Sequence, residues 1–300
     1  MAMASSSRNL TLGLLWAAIA ILVWSGSLIL LRVGVTTGLT AYDLTALRFA
    51  VAAVLLFPLL IRKGIRIGGL GGGGILLMIV LFGAPYVLLL SLAVKTAPAA
   101  AAGALNPGVM AIVSVLMGRV IGGQGLTSTH LIGVILTTLG IATFVWLAGG
   151  FAPGHLVLLV TGIMWAGYAA CVRAWRVPAL HATALIAVGS AVLYLPVYML
   201  ALPHQIAQAA LSDVLLQALF QGVFVTTVAV YAFSRSAELL GPVAGTSLPA
   251  LIPVVTLVLE GLVMGHIPHV YEIAAVCLVT VGIAFILAGT AANRRIAPAR

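Results

Sequence analysis

Residues 24–32 read WSGSLILLR, and residues 165–173 read WAGYAACVR. Trp24, Gly26 and Arg32 return as Trp165, Gly167 and Arg173, each 141 positions on. Two further blocks repeat in the same order. Thr45-Ala46-Leu47 returns as Thr183-Ala184-Leu185, and a proline follows each threonine by thirteen positions, at Pro58 and Pro196. Gly140-Ile141-Ala142 returns as Gly282-Ile283-Ala284, with Thr138 and Thr280 two positions before the glycines. Apolar bias does not by itself produce three ordered matches near one offset. The chain reads as an internal duplication, which constrains the fold before any local reading does.

The surroundings of those blocks say where the duplicated unit lives. Of 300 residues, 63% are hydrophobic and 6% are charged, and the mean hydropathy is +1.26. A soluble domain carries roughly a quarter charged residues, so most outer faces here must meet lipid. Apolar runs of about 20 residues suit helices crossing roughly 30 Å of hydrocarbon. The short alternating strands of a membrane barrel are missing from the pattern. The runs fall at 11–31, 41–61, 74–94, 97–117, 128–147, 156–173, 180–201, 214–234, 241–263 and 270–289. The expected fold class is therefore all-α integral membrane, with ten transmembrane helices arranged as two five-helix repeats. Residues 1–150 hold the first repeat and 151–300 the second, within one membrane domain. Five spans are an odd number, so the second copy enters the membrane inverted, an arrangement shared by many secondary transporters.

Charge orients the chain. With the N-terminus cytoplasmic, the inner segments hold Arg8, Arg62, Lys63, Arg66, Arg119, Arg173, Arg176, Arg235, Arg294, Arg295 and Arg300. The outer side keeps Arg32, Arg48 and Lys95. Eleven against three puts both termini in the cytoplasm by the positive-inside rule. The formal charge of +9 has this cause and does not mark a nucleic-acid surface, because no basic stripe interleaves with aromatics. Cys171 and Cys277 lie in apolar runs and read as small buried hydrophobes. The first apolar run is of full-span length with nine more behind it, unlike a cleaved signal.

Several residues suit a central binding cavity, and each has a plainer reading beside it. Trp24 and Trp165 sit near the middle of equivalent helices, away from the interfacial belts where tryptophan is enriched. They serve either a cavity wall or helix packing. Tyr86, Tyr168 and Tyr231 carry hydroxyls that need a partner in a dry interior, which a wet cavity or a neighbouring carbonyl supplies. Asn106 beside Pro107 loosens a helical turn at depth, in a small-residue run at 99–108. Thr246, Ser247 and Pro249 occupy the matching zone of the second repeat. The cavity is expected between the first, third, fourth, sixth, eighth and ninth helices, lined by Trp24, Tyr86, Asn106, Trp165, Tyr168, Tyr231, Thr246 and Ser247.

Arg48 lies several residues inside the second span, where a charge is costly and a functional candidate by default. It either meets a substrate carboxylate or snorkels outward toward Asp43. Asp43, Asp213, Glu238, Glu260 and Glu272 all fall near span ends, which argues against a mid-membrane proton relay. Glu260 is the best candidate among them for a charge role. Gly69–Gly74 matches G-x-G-x-x-G, but no strand precedes it, so it reads as a loop and not a dinucleotide site. His266 and His269 lack a third ligand for zinc. No catalytic residue, cofactor or metal is expected.

These motifs resemble the drug/metabolite transporter superfamily, and within it the ten-helix EamA-type exporters. The resemblance rests on Trp24 and Trp165, on Leu47-Arg48-Phe49-Ala50, and on Asn106-Pro107 with Leu248-Pro249. Glu260-Gly261 and the stretch from Ile132-Gly133 to Gly140-Ile141 complete it. Two departures stand out. Arg119 lies near where the first half often carries glutamate, and Ile186 takes the place in the second repeat that Arg48 holds in the first. The resemblance implies a secondary transporter or facilitator in a bacterial inner membrane, exporting small organic solutes by alternating access. Amino acids, aromatic or otherwise apolar, are the substrates it favours. The alternative is an exporter of drugs and cationic metabolites on the same fold, and a membrane-embedded lipid enzyme ranks below both. The expected partners are a small-molecule substrate and the bilayer, with no nucleic acid, and a monomer is the expected state.

Overall fold

Ten apolar runs become ten helices. In the computed structural model, residues 2–65, 69–121, 123–147, 150–240 and 248–296 are described. The helices are α1 (Ala2–Thr37), α2 (Ala41–Lys63) and α3 (Gly72–Thr96), followed by α4 (Ala99–Val120) and α5 (Ser128–Leu147). The second half holds α6 (Pro153–Ala174), α7 (Ala179–Ala201), α8 (Leu211–Leu240), α9 (Pro249–Met264) and α10 (Val270–Ile296). Among the described residues, nine of these are long and apolar enough to cross a bilayer, and α9 is a shorter apolar helix. The end of the helix bundle at which α1 begins is called here the terminal side.

Two spans are not the uniform helices that the hydropathy implies. Helix α3 breaks at Gly83 into the segments Gly72–Phe82 and Ala84–Thr96. The freed backbone N–H of Ala84 donates to Ser190 Oγ of α7 at 3.1 Å. Helix α8 winds as a π-helix over Ala218–Val228, where Thr226 Oγ1 also donates to the Gln221 carbonyl five residues back. Inside that segment Gly222 packs on α2. A Cβ there would lie 2.5 Å from Val51 Cβ and 3.4 Å from the Arg48 carbonyl oxygen. The third helix of each repeat is therefore irregular where it meets the second helix of the other repeat. Irregular backbone at this depth persists only where protein groups satisfy it, as Ser190 does.

The halves interlock. Helix α1 packs on α8, and α6 packs on α3, so the first helix of each repeat lies against the third helix of the other. The same exchange shows in two glycines 141 positions apart. A Cβ at Gly13 would meet Leu240 Cγ at 2.6 Å, and one at Gly154 would meet Thr96 Oγ1 at 2.7 Å. Helices α5 and α10 pair through a small-residue seam. A Cβ at Gly133 would stand 2.7 Å from the Gly282 carbonyl oxygen, and one at Gly282 would stand 2.6 Å from Thr137 N. Without a hydrophobic force between helices in lipid, close backbone approach and dispersion drive such pairs. Ala99 through Ala102 and Ala104 are fully buried, and Gly103 abuts Thr256 of α9. That part of the small-residue run is packing.

The end of the bundle opposite the start of α1 is tied by polar groups. Asp43 is fully buried and accepts from Thr40 N and Oγ1 at 2.8 Å, from the Tyr198 hydroxyl at 2.6 Å and from Gln205 N at 3.2 Å. Arg32 Nη1 donates to the Val94 and Ala97 carbonyls at 2.6 and 2.8 Å, which caps the end of α3 with a cation. Glu272 accepts from His266 Nε2 at 2.9 Å and His269 N at 2.7 Å. The two histidines thus serve a helix start. Among the described residues no group of three His, Cys, Asp or Glu is placed to hold a metal.

Candidate functional site

The break in α3 aims two aromatic rings inward. Phe82 ends the first segment, and Tyr86 lies one turn further in the second. Their ring centroids are 4.8 Å apart and stacked. From α6, Tyr168 lies flat on Phe82, with centroids 4.3 Å apart and planes 4° from parallel. Trp165, three residues earlier and so on nearly the same face of α6, stands 6.1 Å from Phe82. From α4, Asn106 Nδ2 donates to the Tyr86 hydroxyl at 2.8 Å. Phe82, Trp165 and Tyr168 keep part of their surface open, whereas Tyr86 and Asn106 are buried. These five side chains form one aromatic wall with a polar end.

Two unmet polar atoms mark that end. Asn106 Oδ1 and Arg48 Nε are both buried with no hydrogen-bond partner in the protein. Arg48 comes from α2, roughly 10 Å along the helix from Ala41 at 1.5 Å per residue, and α2 packs on the Ala84–Thr96 segment of α3 that carries Tyr86. The snorkelling contact with Asp43 does not form, because Asp43 is filled by Thr40, Tyr198 and Gln205. A buried polar atom without a partner is uncommon enough to need an explanation, and two of them lie on the side of a partly open aromatic wall.

Other candidates lie elsewhere. Trp24 packs on Phe233 of α8 at 5.3 Å, so the repeat tryptophans line two different helix pairs, α1 with α8 and α6 with α3. Tyr231 is 52% exposed and meets Trp16 edge to face at 5.6 Å, apart from the aromatic wall. Thr246 and Ser247 lie outside the described residues. Glu260 is buried and accepts from Ala99 N and Ala100 N at 2.9 and 2.7 Å. It caps the start of α4, where Pro98 offers no side-chain cap. An anion at a helix N-terminus is favourably placed by the backbone dipoles. Sequence reasoning missed Phe82, the ring that joins the others. Its signal was the spacing Phe82-Gly83-x-x-Tyr86, an aromatic immediately before a glycine inside an apolar span.

Comparison with known proteins agrees with this architecture. A solved structure titled "Crystal structure of protein" has a TM-score of 0.64 and 24% identity, covering 95% of this chain and 98% of that one. At that identity the likeness shows the fold. No curated protein sequence matches the chain. The sequence model described as "EamA-like transporter family" matches residues 11–146 and again 152–288. The two matches coincide with the two interlocked five-helix halves and leave only short ends and the α5–α6 turn uncovered. With ten apolar helices in two inverted repeats around an aromatic wall, the chain belongs to the EamA-like transporter family, a family of membrane transporters for small solutes.

Proposed function

We propose that this protein is a secondary transporter or facilitator that exports amino acids with aromatic or other apolar side chains by alternating access. We place it in a bacterial inner membrane with both termini cytoplasmic. One observation carries the reading: Tyr86 and Tyr168 stack on Phe82, beside the unmet Asn106 Oδ1 and Arg48 Nε. Apolar walls with a few placed polar groups are what a small-molecule site needs. An aromatic face supplies area and stacking, and the polar end fixes orientation. A sugar nucleotide would require several buried cations, and this wall offers Arg48 alone. A cationic drug would favour a carboxylate in the wall, and none of the ion pairs or hydrogen bonds of the described acidic residues reaches it.

Inverted halves suit alternating access because each can adopt the other's conformation, which opens a central site to one side and then the other. The irregular third helices, α3 at Gly83 and α8 at Ala218–Val228, lie where such an exchange would bend the structure. The test is counterflow in proteoliposomes of purified protein. L-Phenylalanine and L-leucine inside should drive uptake of their labelled forms, and tetraphenylphosphonium should not exchange. Exchange of tetraphenylphosphonium with no exchange of either amino acid would replace this reading with the cationic one.

A further inference from the structure

Arg48 has no counter-ion among the described residues. The sequence holds five acidic residues, and all five are among the described residues. Asp43 is filled by Thr40, Tyr198 and Gln205. Glu260 is filled by Ala99 N and Ala100 N, and Glu272 by His266 and His269 N. Glu238 pairs with Arg235 at 2.6 Å. Asp213 sits in the first turn of α8 and makes no ion pair among the described residues. Arg32, the other deeply placed cation on this side, has its Nη1 on two backbone carbonyls, although its Nε also lacks a partner. Arg48 is half-buried and has neither a carboxylate nor a carbonyl, and its Nε is buried.

The scaffold does not call for a cation at this position. Arg48 corresponds in the repeat to Ile186, at the same three-residue distance from the repeated threonine. Ile186 is 4% exposed and packs in the core, so the same five-helix unit folds around an isoleucine. A half-buried charge without a partner is costly at membrane depth and marks a site by default. The neighbours say what kind. The Phe82, Tyr86 and Tyr168 rings offer apolar faces, and Asn106 Oδ1 is a free acceptor.

We propose that Arg48 binds the carboxylate of the transported molecule, with Asn106 Oδ1 accepting from its ammonium where it has one. The site then selects aromatic or apolar carboxylates and rejects amines that lack a carboxylate. Guanidinium and carboxylate form charge-assisted bonds, bidentate when both edges are free. This deepens the amino-acid reading and rests on it for the identity of the site.

The experiment measures binding to the purified wild type, Arg48→Gln and Arg48→Lys by calorimetry. The probes are L-phenylalanine, hydrocinnamate (carboxylate without amine) and phenethylamine (amine without carboxylate). Wild type should bind both carboxylates at least tenfold more tightly than phenethylamine. Arg48→Gln should lose that preference while melting at or above the wild-type temperature, because an unpaired, half-buried charge is gone. Arg48→Lys should keep part of the preference, since it keeps the charge without the fork. Phenethylamine binding as tightly as hydrocinnamate, or no wild-type binding of either carboxylate, would overturn the proposal. So would Arg48→Gln binding hydrocinnamate as wild type does. If Arg48→Gln does not fold, the wild-type ranking and Arg48→Lys still decide. Arg48-dependent hydrocinnamate binding without amino-acid counterflow would sink the amino-acid reading and leave this one standing. Unimpaired phenylalanine counterflow by Arg48→Gln would do the reverse.

Discussion

Glu260→Gln separates a helix cap from a proton carrier. The carboxylate holds Ala99 N at 2.9 Å through one oxygen and Ala100 N at 2.7 Å through the other. Both alanines are fully buried, so water cannot take over. Glutamine keeps one oxygen and turns an NH2 toward the second N–H, which loses one charge-assisted bond worth about 1.5–3 kcal/mol. The loss of charge at the start of α4 removes a dipole interaction of up to about 2 kcal/mol in a partly buried setting. A destabilisation of roughly 1.5–5 kcal/mol combines these two losses. At roughly 2–4 °C per kcal/mol for a chain of this size, the apparent Tm falls by roughly 3–20 °C. Thermal shift in detergent at one fixed scan rate measures it, since unfolding of such a protein is irreversible. Transport per folded molecule, and its response to a pH gradient, should match wild type. A Glu260→Gln protein that melts like wild type but loses its response to the gradient would refute the cap and make Glu260 a charge carrier.

Two further outcomes test the wall and the orientation. Phe82→Leu keeps apolar bulk but removes the ring on which Tyr86 and Tyr168 stack. A lost aromatic contact of about 0.5–1.5 kcal/mol should raise the KM for phenylalanine roughly 2- to 13-fold and leave that for leucine within twofold. Trp165→Ala should behave alike, and an equal loss for both substrates at normal expression would make these rings packing residues. Reporter fusions after Arg300 and in the loop from Phe151 to His155 should report opposite sides of the membrane, with Arg300 cytoplasmic, and the same side for both would break the ten-span topology.

The sequence by itself determined the membrane class, the ten spans and the duplication. Those follow from one-dimensional quantities, namely run length, hydropathy and repeated blocks such as Trp24-Ser25-Gly26 and Trp165-Ala166-Gly167. The inversion followed from counting five spans per copy. Side chains with a lone strong signal, Trp165, Tyr86, Tyr168 and Asn106, were legible as candidates because aromatic and amide groups are conspicuous in apolar runs. What they meet was not legible. Phe82 looked like one more apolar residue until the break at Gly83 turned it between two tyrosines, and hydropathy does not register a break whose flanks are equally apolar. Glu260 read as an acidic span end, yet its partners are the backbone of α4, about 160 residues away in sequence. Trp24 and Trp165 looked equivalent, and each meets the third helix of the other half, but the ring it meets there sits at a different place on that helix, Phe233 for one and Phe82 for the other. Tertiary structure alone decided those points. Helix-to-helix registry in lipid is set by close backbone contact and by where each buried polar atom finds its partner, and both join residues that the chain keeps far apart.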